Sequence, residues 1–500
     1  MRPGGQAVKT AIGIDLGTQA LKLVFYDVDL RTVAAVESAP LELHQDESGA
    51  AEQQADWWLS ALKAAFSRVD PNLRASARAI AVSGQQHGFV AVDEADSVLA
   101  PVKLWCDTST EVECAEIMRE AGGFDACIEQ AGNPILPGYT ASKIRWLKKN
   151  HPQAYQKLDA ILLPHDYLNL WLTGERCMEA GDASGTGLLD IRERDWSRPM
   201  LRAIDSDRDL GECLPPLRID NDAVGELRAA AAAELGIPAG IPVAIGGGDN
   251  MMGAIGTGNV SPGNVTMSLG TSGTVYAFAE APVIDPKGNI AAFCSSTGGW
   301  LPLLCTMNCT VTTELMRDLL GVDLARFESQ VSRAPRGSEG VITLPFFNGE
   351  RTPNLPRARG CVVGLDGRNM KPENFLRSAV EGATFALKFG IDELAALGVE
   401  AKNIVLTGGG ANSGEWRQIV ADVCASPVTV YEQEEGAAFG AALQAMQLLE
   451  PGASIAEICR ANLTRNDGLC CEPGQEAVKF YEDAYGQYQQ AVEAVSLLYA

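Results

Sequence analysis

The sequence predicts an α/β protein built as two related domains that face each other. Five hundred residues exceed what one hydrophobic core organises, so two domains of similar size are expected. Short apolar runs end repeatedly in glycine-bearing polar turns, the pattern of strands that carry sites at their ends. The chain also starts over: Asp15-Leu16-Gly17-Thr18-Gln19-Ala20-Leu21 is echoed by Ser268-Leu269-Gly270-Thr271-Ser272-Gly273-Thr274.

In chain order, Thr10 to Val24 reads as a β-hairpin, apolar up to Asp15, turning at Gly17-Thr18 and resuming at Leu21. Asp56 suits the cap of a helix through Trp57, Leu59, Leu62 and Phe66. A buried strand over Ala79 to Val82 ends in Ser83-Gly84-Gln85-Gln86-His87-Gly88, and a segment from Lys103 to Trp105 ends at Asp107. Pro215 to Pro242 reads as a junction holding a helix near Ala229 to Leu235. The strand Ile241 to Ile245 stops at Gly246-Gly247-Gly248-Asp249-Asn250, and Asn403 to Leu406 leads into Thr407-Gly408-Gly409-Gly410-Ala411-Asn412. Glu435 to Leu449 reads as a helix whose Gly436 and Gly440 permit a close backbone approach. Glu476 to Leu498 carries Val478, Tyr481, Tyr485, Tyr488, Val492 and Val495 at helical spacing and is expected to pack back onto the first domain. The expected boundaries are 1–242, 243–450 and a helical return segment over 451–500.

Composition narrows the function. A formal charge of −24 without a dense Lys/Arg block argues against nucleic acid. The start from Met1 to Lys9 lacks the apolar stretch of a secretion signal, and no apolar run reaches membrane-spanning length. Thirteen scattered cysteines without a Cys-x-x-Cys pair, and four histidines, argue against structural zinc and for reduced thiols in the cytoplasm. Neither a P-loop, nor an intact Gly-x-Gly-x-x-Gly fingerprint, nor a Gly-x-Ser-x-Gly elbow is present.

What remains suits phosphoryl transfer, which needs a phosphate cradle, a divalent ion and a group that deprotonates the acceptor. The two Gly-Thr turns offer backbone N–H groups and hydroxyls, although an ordinary hairpin would look the same. Asp15 suits a hydrated Mg²⁺. Asp249 follows three glycines that strip away side-chain bulk, so it suits a general base, and equally a helix cap. Gln86, His87 and Asp107 stand at strand ends and bond hydroxyls, which suits a polyol. Thr407 to Asn412 suits a backbone platform for a nucleotide base and ribose.

Together these motifs resemble the FGGY carbohydrate kinases of the actin/hexokinase/Hsp70-like ATPase superfamily, from Ile12 to about Leu449. Ile12 to Thr18 and Ser268 to Gly273 are similar to the two phosphate motifs, and Thr407 to Ala411 to the adenosine motif. Ser83 to Gly88 is similar to the sugar turn of the branch acting on xylulose, whereas glycerol kinases carry an Arg-Glu pair there. Leu163 to Leu168, Asp182 to Thr186, Asp195 to Ser197 and Gly349 to Pro353 share that resemblance. Gln86 stands where Met is common and His165 where Lys is common, and Glu434 to Ala438 differs in detail. The resemblance implies two ribonuclease-H-like domains with a deep cleft, and an ATP- and Mg²⁺-dependent sugar kinase. Asp249 matches the base, and Asp15 the acidic residue near metal and phosphates. Gln86, His87, Trp105, Asp107 and Asn250 are expected at the sugar. Thr18, Gly270, Thr271, Ser272, Gly409, Gly410 and Asn412 are expected at the nucleotide. L-Xylulose, ribulose or erythritol are alternative acceptors, and a non-metabolic ATPase is the alternative of another class. A homodimer is a further expectation.

Overall fold

The computed structural model describes residues 8–219, 222–433 and 436–499. Residues 1–7 of the polar start, 220 and 221 of the proline-bounded junction, and Glu434 and Glu435 lie outside the described residues. The chain folds into two compact units. One holds Met1–Val260, Ala279–Leu301 and Glu435–Leu463; the other holds Ser261–Phe278, Pro302–Glu434 and Thr464–Ala500.

The first unit is organised by a mixed sheet of β1 (Thr10–Leu16), β2 (Ala20–Asp27), β3 (Thr32–Pro40), β4 (Ala77–Gly84), β5 (Ala223–Glu226), β6 (Pro242–Ala244) and β7 (Gly247–Gly248). The order is β5-β6-β4-β1-β2-β3, with β7 also paired to β4. The predicted hairpin is β1–β2, and β4 lies parallel to β1 on the other side. Helix Ala55–Arg68 buries Trp58, Leu62 and Phe66 on this sheet, with Phe66 edge-on to Phe25 at 5.8 Å. Its N-cap is Gln54; Asp56, expected to cap, lies in the first turn. The junction read over 215–242 contributes β5, which pairs antiparallel with β6 and so forms one edge of this sheet.

Helix Gly436–Gln447 belongs to the first unit. Of the two glycines the sequence singled out, Gly440 makes the close approach, whereas a side-chain carbon on Gly436 would meet nothing within 4 Å. A side-chain carbon on Gly440 would lie 1.8 Å from the Met252 carbonyl oxygen, and one on Gly13 would lie 1.8 Å from that of Ala438. The helix therefore packs backbone to backbone against β1 and helix Asp249–Gly256, leaving no room for a methyl group.

The second unit repeats the plan with β8 (Asn264–Leu269), β9 (Gly273–Ala277), β10 (Leu303–Thr306), β11 (Asn403–Thr407) and β12 (Val428–Thr429), in the order β10-β9-β8-β11-β12. As in the first unit, the leading strand pairs antiparallel with the next and parallel with a later one. The Leu-Gly-Thr echo falls at the same topological point in both units, the turn after the first strand.

One helix differs from expectation. Gln475–Ser496 was expected on the first domain and instead packs within the second unit. Tyr481, Tyr485 and Tyr488 surround Phe385 of helix Pro372–Ala396 at 5.2–6.2 Å. The Tyr481 hydroxyl donates to Glu381 and accepts from Arg377. The aromatic stripe thus finds its partner in its own unit. Among the described residues, no helix is long and apolar enough to cross a membrane.

Candidate active site

In the first unit three strand ends meet. The register sets Asp15 of β1 beside Ser83 of β4, and Ser83 beside Gly247 of β7. Ser83 donates its hydroxyl to Asp15 at 2.8 Å. The turn into β7 needs glycine: Gly246 has φ +75°, and a side-chain carbon there would lie 2.1 Å from the Val82 carbonyl oxygen. Gln444 clamps this turn, its side chain accepting from Gly246 N–H at 2.9 Å, and Asn169 donates to the Ile245 carbonyl at 2.7 Å.

Asp249 is the first residue of helix Asp249–Gly256, and the cap position belongs to Gly248. Its carboxylate accepts from Asn250 N–H at 2.8 Å and from the Asn250 side-chain amide at 3.1 Å. That amide also donates to Gln86 at 2.7 Å, so Gln86, Asn250 and Asp249 form one chain. Burial first, and then the neighbouring carboxylates of Asp15 and Asp182, push Asp249 up to about 7. A carboxylate in that range accepts a proton readily near neutrality.

His87 stands next to Gln86 with φ +63°, a left-handed backbone uncommon for a residue other than glycine. It is held from two sides. Its carbonyl accepts from the Thr140 hydroxyl at 3.1 Å and from the Lys143 ammonium at 2.7 Å. Its N–H donates to Asp182 at 3.3 Å, and its Nδ1 lies 3.4 Å from the same carboxylate oxygen. The ring packs against Tyr139 and Phe293. Trp105 donates its indole N–H to the Thr18 hydroxyl at 2.9 Å, and that hydroxyl donates to Gln85 at 3.0 Å.

The structure thus brings Asp15, Gln86, His87, Asp249 and Asn250 together at adjacent strand ends and loops. Asp107 has a different task. It is fully buried, and its carboxylate accepts from Ala51 N–H, the Lys103 ammonium, and the Ser109 N–H and hydroxyl. Those bonds tie its own loop together and leave it turned into protein. Thr18 is likewise engaged by Trp105 and Gln85, so its hydroxyl organises the first turn.

In the second unit the expected nucleotide residues also sit at neighbouring strand ends, since Ser268 of β8 is paired with Thr407 of β11. The Gly270 and Thr271 carbonyls accept from Thr310 and Cys309 N–H groups, which anchors this turn to the start of helix Thr310–Leu319. Thr271 is exposed, as are Gly409 and Asn412 in the short 3₁₀ turn Gly409–Asn412, whereas Gly410 packs beneath against Leu269 and Trp416.

Two family models cover nearly all of this architecture: the FGGY carbohydrate kinase N-terminal domain matches residues 10–256 and the C-terminal domain residues 265–448. The chain belongs to the FGGY family of carbohydrate kinases. A xylulose kinase of Haemophilus influenzae is 41% identical, over 95% of this chain and 98% of that protein. The solved structure of a xyloylose kinase from Brucella ovis is 30% identical, with a TM-score of 0.90 over 98% of this chain and 100% of that one. A glycerol kinase of Plasmodium falciparum, 18% identical with a TM-score of 0.87, shares the fold. As an FGGY kinase the protein is a phosphotransferase whose substrates are a sugar and ATP.

Several residues of this FGGY kinase hold the site without a role assigned to them by the sequence: Lys143, which was not read at all, and His165, Asp166 and Asp182, which stood only within the segments that carry the resemblance. Lys143 is buried and donates to the His87 and Gly138 carbonyls, both at 2.7 Å. Burial pushes it down to about 7, despite the opposing pull of Asp107. A lysine between buried Ser142 and Ile144 in helix Thr140–Asn150 was the available signal.

Proposed function

We propose that the protein transfers the γ-phosphoryl group of ATP to the terminal hydroxyl of D-xylulose, giving D-xylulose 5-phosphate and ADP. Asp249 takes the hydroxyl proton as the oxygen–phosphorus bond forms. The bond to the β-phosphate oxygen breaks, and ADP leaves with that electron pair. His87, Gln86 and Asn250 orient the ketose, with Trp105 beside the first turn. Gly270, Thr271, Ser272 and the Gly409–Asn412 turn hold the nucleotide. Magnesium bound with ATP supplies charge neutralisation. Asp15 suits it: a half-buried carboxylate at a strand end, close enough to Asp249 to raise its proton affinity, is where a cation relieves repulsion.

The observation that carries this reading is Asp249, fixed by Asn250 at a strand end and poised near neutrality. The likeness to the xylulose kinase of Haemophilus influenzae supports the ketose. The Gln86 amide is held by Asn250 on one side and by the Met251 sulfur at 3.2 Å on the other, which leaves one N–H and one oxygen lone pair to meet the ketose. The test is ADP release with D-xylulose, L-xylulose, ribulose, erythritol and no sugar. D-Xylulose should give the highest kcat/KM. Equal or faster release on another sugar would overturn the assignment, and sugar-independent hydrolysis would place the protein among the non-metabolic ATPases of the superfamily.

A further inference from the structure

Behind His87 lies a line of buried charge that the phosphoryl-transfer reading does not use. Asp182 presents one carboxylate oxygen to His87 N–H and Nδ1 at 3.3 and 3.4 Å, and its other oxygen lies 3.2 Å from His165 Nδ1. His165 Nε2 lies 2.9 Å from Asp166 Oδ1, and Asp166 Oδ2 accepts from Leu163 N–H at 3.0 Å. His165, Asp166 and Asp182 are 0–1% exposed, so water does not satisfy these atoms. Asp182 is seated from below by Glu179, whose carboxylate accepts from the Gly181 and Asp182 N–H groups at 2.6 and 2.9 Å. His165 is also pressed against the end of β4: a side-chain carbon on Gly84 would lie 2.9 Å from its Cβ.

Carboxylate oxygens 2.9 and 3.2 Å from its two ring nitrogens favour His165 as the doubly protonated cation, because a neutral imidazole has one donor only. Two carboxylates also make the buried cation tolerable. Burial works against the charge, yet the paired carboxylates prevail and hold His165 well above the ordinary histidine range. The ionised Asp182 then faces His165 with one oxygen and the His87 Nδ1 with the other, as close charge contacts rather than aligned hydrogen bonds.

We infer that Asp166, His165 and Asp182 form a buried positioning relay that fixes the proton of His87 on Nδ1 and makes Nε2 the acceptor nitrogen toward a ketose hydroxyl. His165 touches no substrate in this scheme and acts through Asp182. The left-handed backbone at His87, fastened by Lys143 and Thr140, sets the ring's position, and the relay sets its tautomer. The inference rests on His87 as a sugar contact, and the test separates the two.

Selective ¹⁵N labelling of histidine suits a chain with only four, His44, His87, His151 and His165. In the full-length protein at neutral pH, His165 should show two protonated nitrogens and His87 a protonated Nδ1 with an unprotonated Nε2, assigned with His87→Asn and His165→Lys. A neutral His165, or a proton on Nε2 of His87, overturns the relay. In kinetics, His165→Met should raise the ketose KM about tenfold, the worth of one oriented hydrogen bond, with kcat held within about threefold. His165→Lys, which restores a cation, should recover the KM. Equal loss from Met and Lys, or a fall in kcat alone, overturns the relay. Should His165→Met not fold, the wild-type nitrogen signals still decide. If the signals are as expected but no ketose is phosphorylated, the sugar assignment fails and the relay stands.

Discussion

Asp249→Asn separates chemistry from structure at one atom. Asparagine keeps an oxygen for the Asn250 N–H and side-chain amide, so the chain through Asn250 to Gln86 survives. What disappears is the proton acceptor. Turnover should fall about 10²–10⁴-fold, the usual contribution of a general base, with the ketose KM nearly unchanged. Stability should move the other way. Raising a carboxyl from 3.8 to about 7 means the folded state binds the proton more tightly than the unfolded chain. Stability conferred by this group is therefore present below its unfolded pKa and is lost as pH rises through the folded value. Full ionisation costs up to about 4 kcal/mol at 1.36 kcal/mol per unit, reduced to roughly 1–2 kcal/mol because the half-buried carboxylate keeps some solvent. Asparagine removes that cost, so above neutral pH the variant should melt higher than wild type in calorimetry. Near-normal turnover in coupled ADP release, or a lower melting temperature at pH 8, would refute the reasoning.

Three further outcomes follow from the packing. Lys143→Met should loosen the His87 backbone and raise the ketose KM several-fold. It should also abolish the gain in wild-type stability between pH 7 and 10, where the unfolded chain binds a proton that the folded lysine, pushed down to about 7, has lost; urea titrations across pH check the slope. Gly440→Ala drives a methyl group into the Met252 carbonyl, and should cost about 1–3 kcal/mol or more in thermal unfolding. Thr271→Ala removes an exposed hydroxyl from the second Gly-Thr turn and should raise the KM for ATP about three- to tenfold while leaving that for the ketose unchanged, as initial-rate kinetics would show.

Much of the fold was legible because it depends on local signals. Apolar runs ending in glycine turns announced β1, β2, β4, β6 and β11, and the Leu-Gly-Thr echo marked the repeated topology. The place of Asp249 at a strand end was legible because three glycines remove every competing side chain before it. Asp107 was misplaced because its surroundings are tertiary: Lys103, Ser109 and Ala51 claim its oxygens only once the loops close. The return of helix Gly436–Gln447 to the first unit was not legible, and the expected 243–450 boundary put it in the second domain. The glycine spacing announced a close approach without naming Met252 and Gly13 as the surfaces met. The tyrosine stripe of the last helix announced a packed face, but its partner, Phe385, is a matter of topology. Asp182 and His165 sit on separate helices, and nothing local links them before folding sets them 3.2 Å apart.

The proton-acceptor role of Asp249 is tested most directly by the pH dependence of kcat/KM for the ketose, which reports the free enzyme's essential base. The expected profile rises with unit slope through about pH 7 and then levels, because only the ionised carboxylate accepts the hydroxyl proton. A profile flat from well below neutrality, on an enzyme that remains folded, would contradict it.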